Sequence, residues 1–232
     1  MTGAALSIIV PVLNEAAAIE AALAALAQYR IRGVEVIVVD GGSVDATPNL
    51  ARPFADRIIV AARGRALQMN AGAAAARGEI LLFLHADTRL PENADVLISD
   101  ALARTGRVWG RFDIRIDDGL ALALVAEMMN VRSRLTGIAT GDQAIFMTRA
   151  AFESAAGFPP IALMEDIAFS AALKRIGPPV RLRAKVTTSS RRWRQNGIAR
   201  TIFLMWRLRL AYFAGADPAQ LAQRYGYASA DR

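Results

Sequence analysis

The chain has 232 residues, 54% of them hydrophobic and 21% charged, with one histidine, no cysteine and a formal net charge of +7. This length suits one large α/β domain with a substantial core, the apolar content excludes a disordered chain, and the lack of cysteine excludes disulfides, thiolate metal sites and a cysteine nucleophile. Arginine carries the positive charge, since Lys174 and Lys185 are the only lysines; scattered arginines without a zinc-finger, RNP or basic-helix signature favour phosphate-bearing small molecules over nucleic acid.

In chain order, "LSIIVPV" at 6–12 reads as a strand and "AAAIEAALAALAQY" at 16–29 as a helix with apolar spacing near 3.6. "VEVIVVD" at 34–40 is β-branched and apolar throughout, as a parallel strand covered on both faces must be. "DATPNLARPFA" at 45–55 is a short helix capped by Asp45, "RIIVAA" at 57–62 a strand, "ALQMNAGAAAA" at 66–76 a helix, and "EILLFLHAD" at 79–87 a fourth strand. The alternation continues to about residue 104 and predicts a doubly wound α/β half over 1–104. Beyond Gly106, "RFDIRIDD" at 111–118 alternates like a half-exposed strand, 120–137 is a helix, and "GDQAIFMTRAAFESAAGF" at 141–158 is a short strand followed by a helix. No linker or repeat divides the chain, so 105–198 is expected to form one wall of a site and 199–232 a helical tail within a single domain over 1–232. No apolar run reaches the roughly 18 residues of a spanning helix, and the first residues, "MTGAALSIIVPVLNE", lack a basic n-region. A cytoplasmic protein is expected.

Ligands of open parallel sheets bind beyond the carboxyl ends of the strands. Three such ends carry polar residues here: Asn14 and Glu15 after the first strand, Asp40 and Ser43 around Gly42 in "VVDGGS" after the second, and His85 and Asp87 in "LHAD" after the fourth. If that last strand continues, His85 and Asp87 point to one side of the sheet. There is no G-x-G-x-x-G after the first strand, no phosphate loop ending in GK[ST] and no G-x-S-x-G elbow. Carboxylates are left to do the acid–base work, on a phosphate-bearing donor.

"SIIVPVLNEAAAIEAALAAL", "VEVIVVDGGSVDAT", "RGRALQMNAGAAAARGEILLFLHADT" and "MEDIAFSAALKRIG" resemble, in order and spacing, the successive blocks of the family-2 glycosyltransferases with the GT-A fold, from about Leu6 to Trp193. The closest subgroup by this resemblance is of small soluble bacterial members with "LHADT" in place of the aspartate-rich DxD motif. The resemblance implies a Rossmann-like, mostly parallel twisted sheet with helices on both faces, a nucleotide-binding first half and an acceptor-side second half. It implies that Pro11, Leu13, Asn14 and Glu15 border the nucleobase, that Asp40, beside Gly42, bonds it, and that Arg65, Gln68 and Asn70 close over the nucleotide. "HAD" falls at the DxD position: Asp87 takes the divalent metal, while His85, with Ala86 beside it, either keeps a hydrogen bond to the donor or is itself a ligand, which would favour Mn2+ over Mg2+. Glu165 and Asp166 match the pair whose aspartate is the general base; their plainer reading is a cap and first-turn acid of the helix "IAFSAALKRIG".

The implied activity is transfer of one sugar, with inversion, from a UDP- or GDP-sugar to a small-molecule or lipid-linked acceptor. Gly141 and Asp142 in "TGDQAIF" either border the acceptor or form a turn into a strand. Arg192 and Trp193 in "SSRRW" align with the end of Q-x-x-R-W, but Ser189 replaces the glutamine, which argues against polymer synthesis; Trp193 either stacks on an acceptor ring or packs as a lid. The rivals are a nucleotidyltransferase, whose glycine-rich basic loop after the first strand is missing, and a nucleotide-sugar binding module without catalysis. In "RTIFLMWRLRLAYFAG" at 200–215, Phe203, Trp206, Leu210 and Phe213 form one stripe, expected to pack on the domain or a second subunit in a homodimer, with peripheral contact at the inner membrane as the alternative. Arg209 falls opposite Arg200 and Arg207.

Overall fold

The computed structural model describes residues 5–227. Its strands are β1 (Leu6–Val12), β2 (Glu35–Asp40), β3 (Arg57–Val60), β4 (Ile80–Phe83), β5 (Thr88–Arg89), β6 (Trp109–Ile116), β7 (Phe146–Thr148) and β8 (Val180–Thr188). They form one sheet in the order β3-β2-β1-β4-β7-β6-β8-β5. The pairs β1–β2, β1–β4, β2–β3 and β6–β8 are parallel, whereas β7 runs antiparallel to β4 and β6, and β5 to β8. Register aligns Val12 with Asp40 and Ile9 with Phe83, so β1, β2 and β4 end at one edge of the sheet.

Alternation along β1 sorts its side chains between two cores. Ile8 and Val10 join Leu23, Tyr29, Ile98 and Leu102 on one face, while Ile9 joins Met69, Ala73, Phe158 and Phe169 on the other. Helices α1 (Ile19–Ala24) and α5 (Ala94–Thr105) supply the first face, and α4 (Arg65–Ala75) and α8 (Glu165–Ile176) the second. The α4 helix sits close because Gly72 has no side chain: a Cβ there would run into Ile9 and come within 2.9 Å of Val39.

Several elements differ from expectation. The helix expected over 16–29 starts at Ile19 and breaks into α1 and α2 (Ala27–Ile31), because the preceding N–H groups are drawn to another loop. Asn14 N–H donates to Ser43 Oγ (2.9 Å), Glu15 N–H to Thr47 Oγ1 (2.8 Å) and Ala16 N–H to Asp45 Oδ2 (3.2 Å). Asp45 also accepts from Thr47 N–H at the start of α3 (Thr47–Ala51). β4 stops at Phe83, and His85 to Asp87 form a turn closed by Thr88 N–H on the His85 carbonyl (3.0 Å), so the same-side strand geometry does not apply.

β6 is buried on both faces apart from Arg115, not half-exposed. Its polar residues are neutralised in place: Arg111 and Asp113 are each 1% exposed and pair with one another, and Arg134 of α6 (Gly119–Thr136) closes on Asp113. Asn130 of α6 clamps Ile114, accepting its N–H (2.8 Å) and donating to its carbonyl (3.0 Å). β8 and α9 (Arg191–Asn196) were not anticipated, and α11 (Pro218–Tyr225) lies within the span 199–232 read as a helical tail. In α10 (Ile198–Phe213), Thr201 and Leu208 are buried, but Phe203, Trp206, Leu210 and Phe213 are 62–73% exposed, so the stripe does not pack on the domain. A second exposed stripe, Leu120, Leu124, Met128, Val131 and Leu135, runs along α6. Among the described residues no helix is long and apolar enough to cross a membrane.

Candidate active site

A cavity of about 1860 Å³ opens beyond the carboxyl ends of the parallel strands. Pro11 at the end of β1 and Leu13 and Glu15 just after it line the cavity, Arg65 and Gln68 enter from the first turns of α4, and His85, Ala86 and Asp87 come from the turn after β4. Gly141, Asp142, Glu165 and Asp166 face them from the second half, with Arg192 and Trp193 of α9 at the side. Sequence-predicted residues from both halves therefore share one space.

Asn14, Asp40, Gly42 and Asn70 are not among the cavity's lining. Asp40 is 3% exposed and its carboxylate accepts the N–H groups of Gly42 (3.1 Å) and Ser43 (3.0 Å) and the Ser43 hydroxyl. Asn14 Oδ1 accepts Val44 N–H (2.9 Å), which ties the two loops together. Asn70 joins α4 to the chain at Phe158, donating to its carbonyl (2.8 Å) and accepting its N–H (2.9 Å). Buried Gln68 donates to the carbonyls of Val12 and Val39, both at 2.8 Å, and so fixes α4 against the ends of β1 and β2.

Asp166 lies in the first turn of α8, half-buried. One carboxylate oxygen accepts Ile167 N–H (2.7 Å) and the other Gly141 N–H (2.8 Å), so the group is aimed by backbone from two elements. Gly141 permits this approach: a Cβ there would enter the His85 ring. His85 Nδ1 lies 3.3 Å from Asp142 Oδ1, and its Nε2 is buried without a hydrogen-bond partner among the described residues. Burial alone would raise the Asp142 carboxyl, but the hydrogen bond and charge of His85, with Arg65 and Arg192 beyond it, hold it below its ordinary value. Glu165 is 3% exposed and pairs with Arg65 at 3.3 Å. Burial pushes its carboxyl up, Arg65 draws it down, and Asp166 pushes it up again; the net direction is upward.

Non-glycine residues in the left-handed region cluster here. Asn14 (φ 53°), Ala144 (φ 47°) and Met164 (φ 70°) adjoin three of the segments that line the cavity. Strained backbone is held where surrounding structure over-determines it, and functional sites are where it concentrates.

Other site residues were missed. Arg191 reaches across the cavity to Glu15 (3.1 Å), a contact 176 residues apart that no local pattern carries. Arg192 stacks over Tyr225 at 3.9 Å, and Arg65 donates to Tyr227 Oη (2.8 Å), so the end of α11 closes one side. Arg132 of α6 and Arg209 of α10 also line the cavity. The signal for Arg209 was present: an arginine opposite Arg200 and Arg207 on an otherwise apolar helix has somewhere particular to go.

Among the described residues no group of three or more His, Asp or Glu side chains could hold a metal by themselves. Asp87, exposed at the cavity, and the unpaired His85 Nε2 are what the DxD position offers. This donor set fits a divalent ion bound through one or two protein ligands and completed by substrate phosphates.

The same architecture occurs in solved structures of other proteins. TarS 1-349 from S. aureus, in complex with UDP-GlcNAc, superposes with a TM-score of 0.65 over 79% of this chain and 58% of that one, at 20% identity. A mannosyltransferase from Pyrobaculum calidifontis, in complex with GDP-Man and Mn2+, gives 0.65 over 96% and 69%, at 21% identity. Glucosyl-3-phosphoglycerate synthase from Mycobacterium tuberculosis gives 0.58 over 79% and 69%, at 22% identity. The fold is that of a GT-A glycosyltransferase. Residues 7–152, more than half of the chain, match the model of glycosyl transferase family 2, and the chain belongs to that family. Among curated proteins, a PGL/p-HBAD biosynthesis glycosyltransferase of Mycobacterium bovis is 38% identical over 114 residues, which is 46% of this chain and 42% of the relative. The alignment thus spans less than half the length of the curated relatives it matches; a relative from M. tuberculosis gives the same values.

Proposed function

We propose that this glycosyltransferase moves a single sugar, with inversion, from a nucleotide-diphosphate sugar to an acceptor hydroxyl, with Asp166 as general base. The observation that carries the reading is the placement of Asp166: half-buried in the cavity, fixed by the N–H groups of Gly141 and Ile167, and facing the turn that holds His85 and Asp87. A carboxylate held in one geometry takes a proton in the transition state without reorganising.

Asp87 would hold a divalent cation, Mn2+ or Mg2+, together with the donor's diphosphate, and the charge supplied there would offset that of the departing nucleoside diphosphate. Arg65 adds a second positive charge on the donor side. His85 keeps its Nδ1 on Asp142 and turns Nε2 to the donor. Pro11, Leu13 and Glu15 border the nucleobase, with Asn14, Asp40 and Gly42 acting through the loop they build, and Asn70 through the position of α4. Gly141, Asp142, Arg192 and Trp193 form the acceptor side. Mn2+ in the Pyrobaculum and Mycobacterium neighbours, with GDP-Man in the first and UDP in the second, supports this donor and metal assignment.

Release of nucleoside diphosphate from UDP- and GDP-sugars in the presence of Mn2+ tests the reading. Hydrolysis or transfer that yields nucleoside diphosphate and is lost in Asp166→Asn is expected. Release of pyrophosphate would instead mark a nucleotidyltransferase, and nucleotide-sugar binding without turnover a binding module.

A further inference from the structure

Arg132 and Arg209 enter the cavity from two different helices, α6 and α10, next to Asp166 and Asp142. Arg132 Nε and Nη2 and Arg209 Nε are buried and have no hydrogen-bond partner among the described residues. Buried guanidinium nitrogens are rarely left so, because removing the charge from water without an acceptor is costly. The nearby acids attract both arginines through charge but form no ion pair with them: both oxygens of Asp166 accept backbone N–H groups, and Asp142 faces His85. Neither arginine forms an ion pair with any described carboxylate, whereas Arg65, Arg111, Arg134, Arg191 and Arg194 all do. Burial and the mutual repulsion of the pair draw the Arg132 guanidinium down to about 10, and burial lowers Arg209 as well. Two neighbouring cations on separate helices lining a cavity, neither in an ion pair with a described carboxylate, form a seat for a doubly charged oxyanion; a carboxylate would neutralise only one of them.

We infer that the acceptor carries a phosphate group and that Arg132 and Arg209 bind it, placing the acceptor hydroxyl beside Asp166. This rests on the sugar-transfer reading above and names its acceptor class. The donor diphosphate is assigned to Asp87 and Arg65, so the two anionic groups are held by different residues of the cavity. The same phosphate chemistry is offered by a soluble phosphate ester and by a lipid headgroup.

The test titrates wild-type protein, saturated with UDP or GDP and Mn2+, with inorganic phosphate, with glycerol 3-phosphate, and with phosphatidylcholine vesicles with and without phosphatidic acid. Thermal shift reads the soluble arms and cosedimentation the vesicles. Stabilisation by phosphate or glycerol 3-phosphate is expected, with the apparent affinity falling at least about tenfold in Arg132→Gln and in Arg209→Gln and less in Arg132→Lys; binding confined to phosphatidic acid vesicles, and lost in the same variants, would assign the headgroup as the source. Lack of any phosphate effect on wild type, or equal effects on wild type and both glutamine variants, overturns the inference without need of a folded variant. Loss of nucleoside diphosphate binding in the glutamine variants would move the arginines to the donor and overturn it too. Failure of wild type to bind any nucleoside diphosphate would count against the sugar-transfer reading, and the phosphate titration would then be read without nucleotide.

Discussion

Asp166, Gly141 and His85 form a chain of contacts in which each fixes the next. Asp166→Asn keeps the shape but removes the base, and its carboxamide oxygen can accept only one of the two backbone N–H groups, so turnover is expected to fall at least about a hundredfold while donor affinity is kept. Steady-state kinetics beside calorimetric titration of the nucleoside diphosphate separates the two; near-wild-type turnover would end the assignment. Gly141→Ala tests the chain itself. The backbone conformation suits alanine, but the new Cβ collides with the His85 ring, so activity should fall in a variant whose melting temperature changes little, and His85→Ala should restore part of it. At the metal position the two substitutions differ in kind. Asp87→Ala should abolish Mn2+-dependent donor binding and His85→Ala should retain it with weaker affinity; equal loss in both would make the imidazole a ligand.

Among the elements, β6 and α6 carry the greatest stability risk, since Asp113 sits 1% exposed between Arg111 and Arg134. Asp113→Ala leaves Arg111 buried without its counter-ion and should cost about 3–5 kcal/mol in a urea melt. The same network explains why β6 was legible as a strand but not as a buried one: alternating Arg and Asp looks like a wet face unless the partner arginine, 21 residues on, is known. β1 to β4 were legible because runs such as "EVIVVD" have no other use. β8 was overlooked although its signal was present, since Arg181, Arg183 and Lys185 alternate with Val180, Leu182, Ala184 and Val186 as a half-exposed strand does, and α1 was placed early because its first N–H groups are claimed by side chains about 30 residues away. In the site, Glu15, Asp40 and Asp87 were found at strand ends and Glu165 and Asp166 through the family resemblance, whereas Arg132, Arg191 and Tyr225 are brought in by tertiary structure alone. Asp56 ties α2 to the start of β2, accepting from Arg30 (2.7 Å) and from Val36 N–H (2.8 Å). Burial raises its carboxyl, but the Arg30 hydrogen bond and the Val36 N–H outweigh this and hold it below its ordinary 3.8. A carboxyl depressed in the folded state stabilises above that ordinary value and loses its contribution as pH falls through the folded one. Asp56→Asn should therefore lose less stability than wild type in urea melts carried below about pH 4.

For the molecule as a whole, one sheet runs through both halves, with β7 of the second half covering the edge that β4 leaves open and β6 and β8 following beyond it. We expect a single cooperative unfolding transition, with the fluorescence of Trp109, Trp193 and Trp206 coinciding with far-UV circular dichroism; two separated transitions would divide the chain into independent domains. The order of the strands also has a consequence during synthesis. The apolar β4 leaves the ribosome long before its neighbour β7, and at about 5–20 residues per second the 65 residues from Phe83 to Thr148 take roughly 3–13 s to appear. For those seconds the nascent chain carries an unpaired, apolar strand edge, a surface on which neighbouring polysome products can pair, and a holding chaperone would be of most use to this protein then.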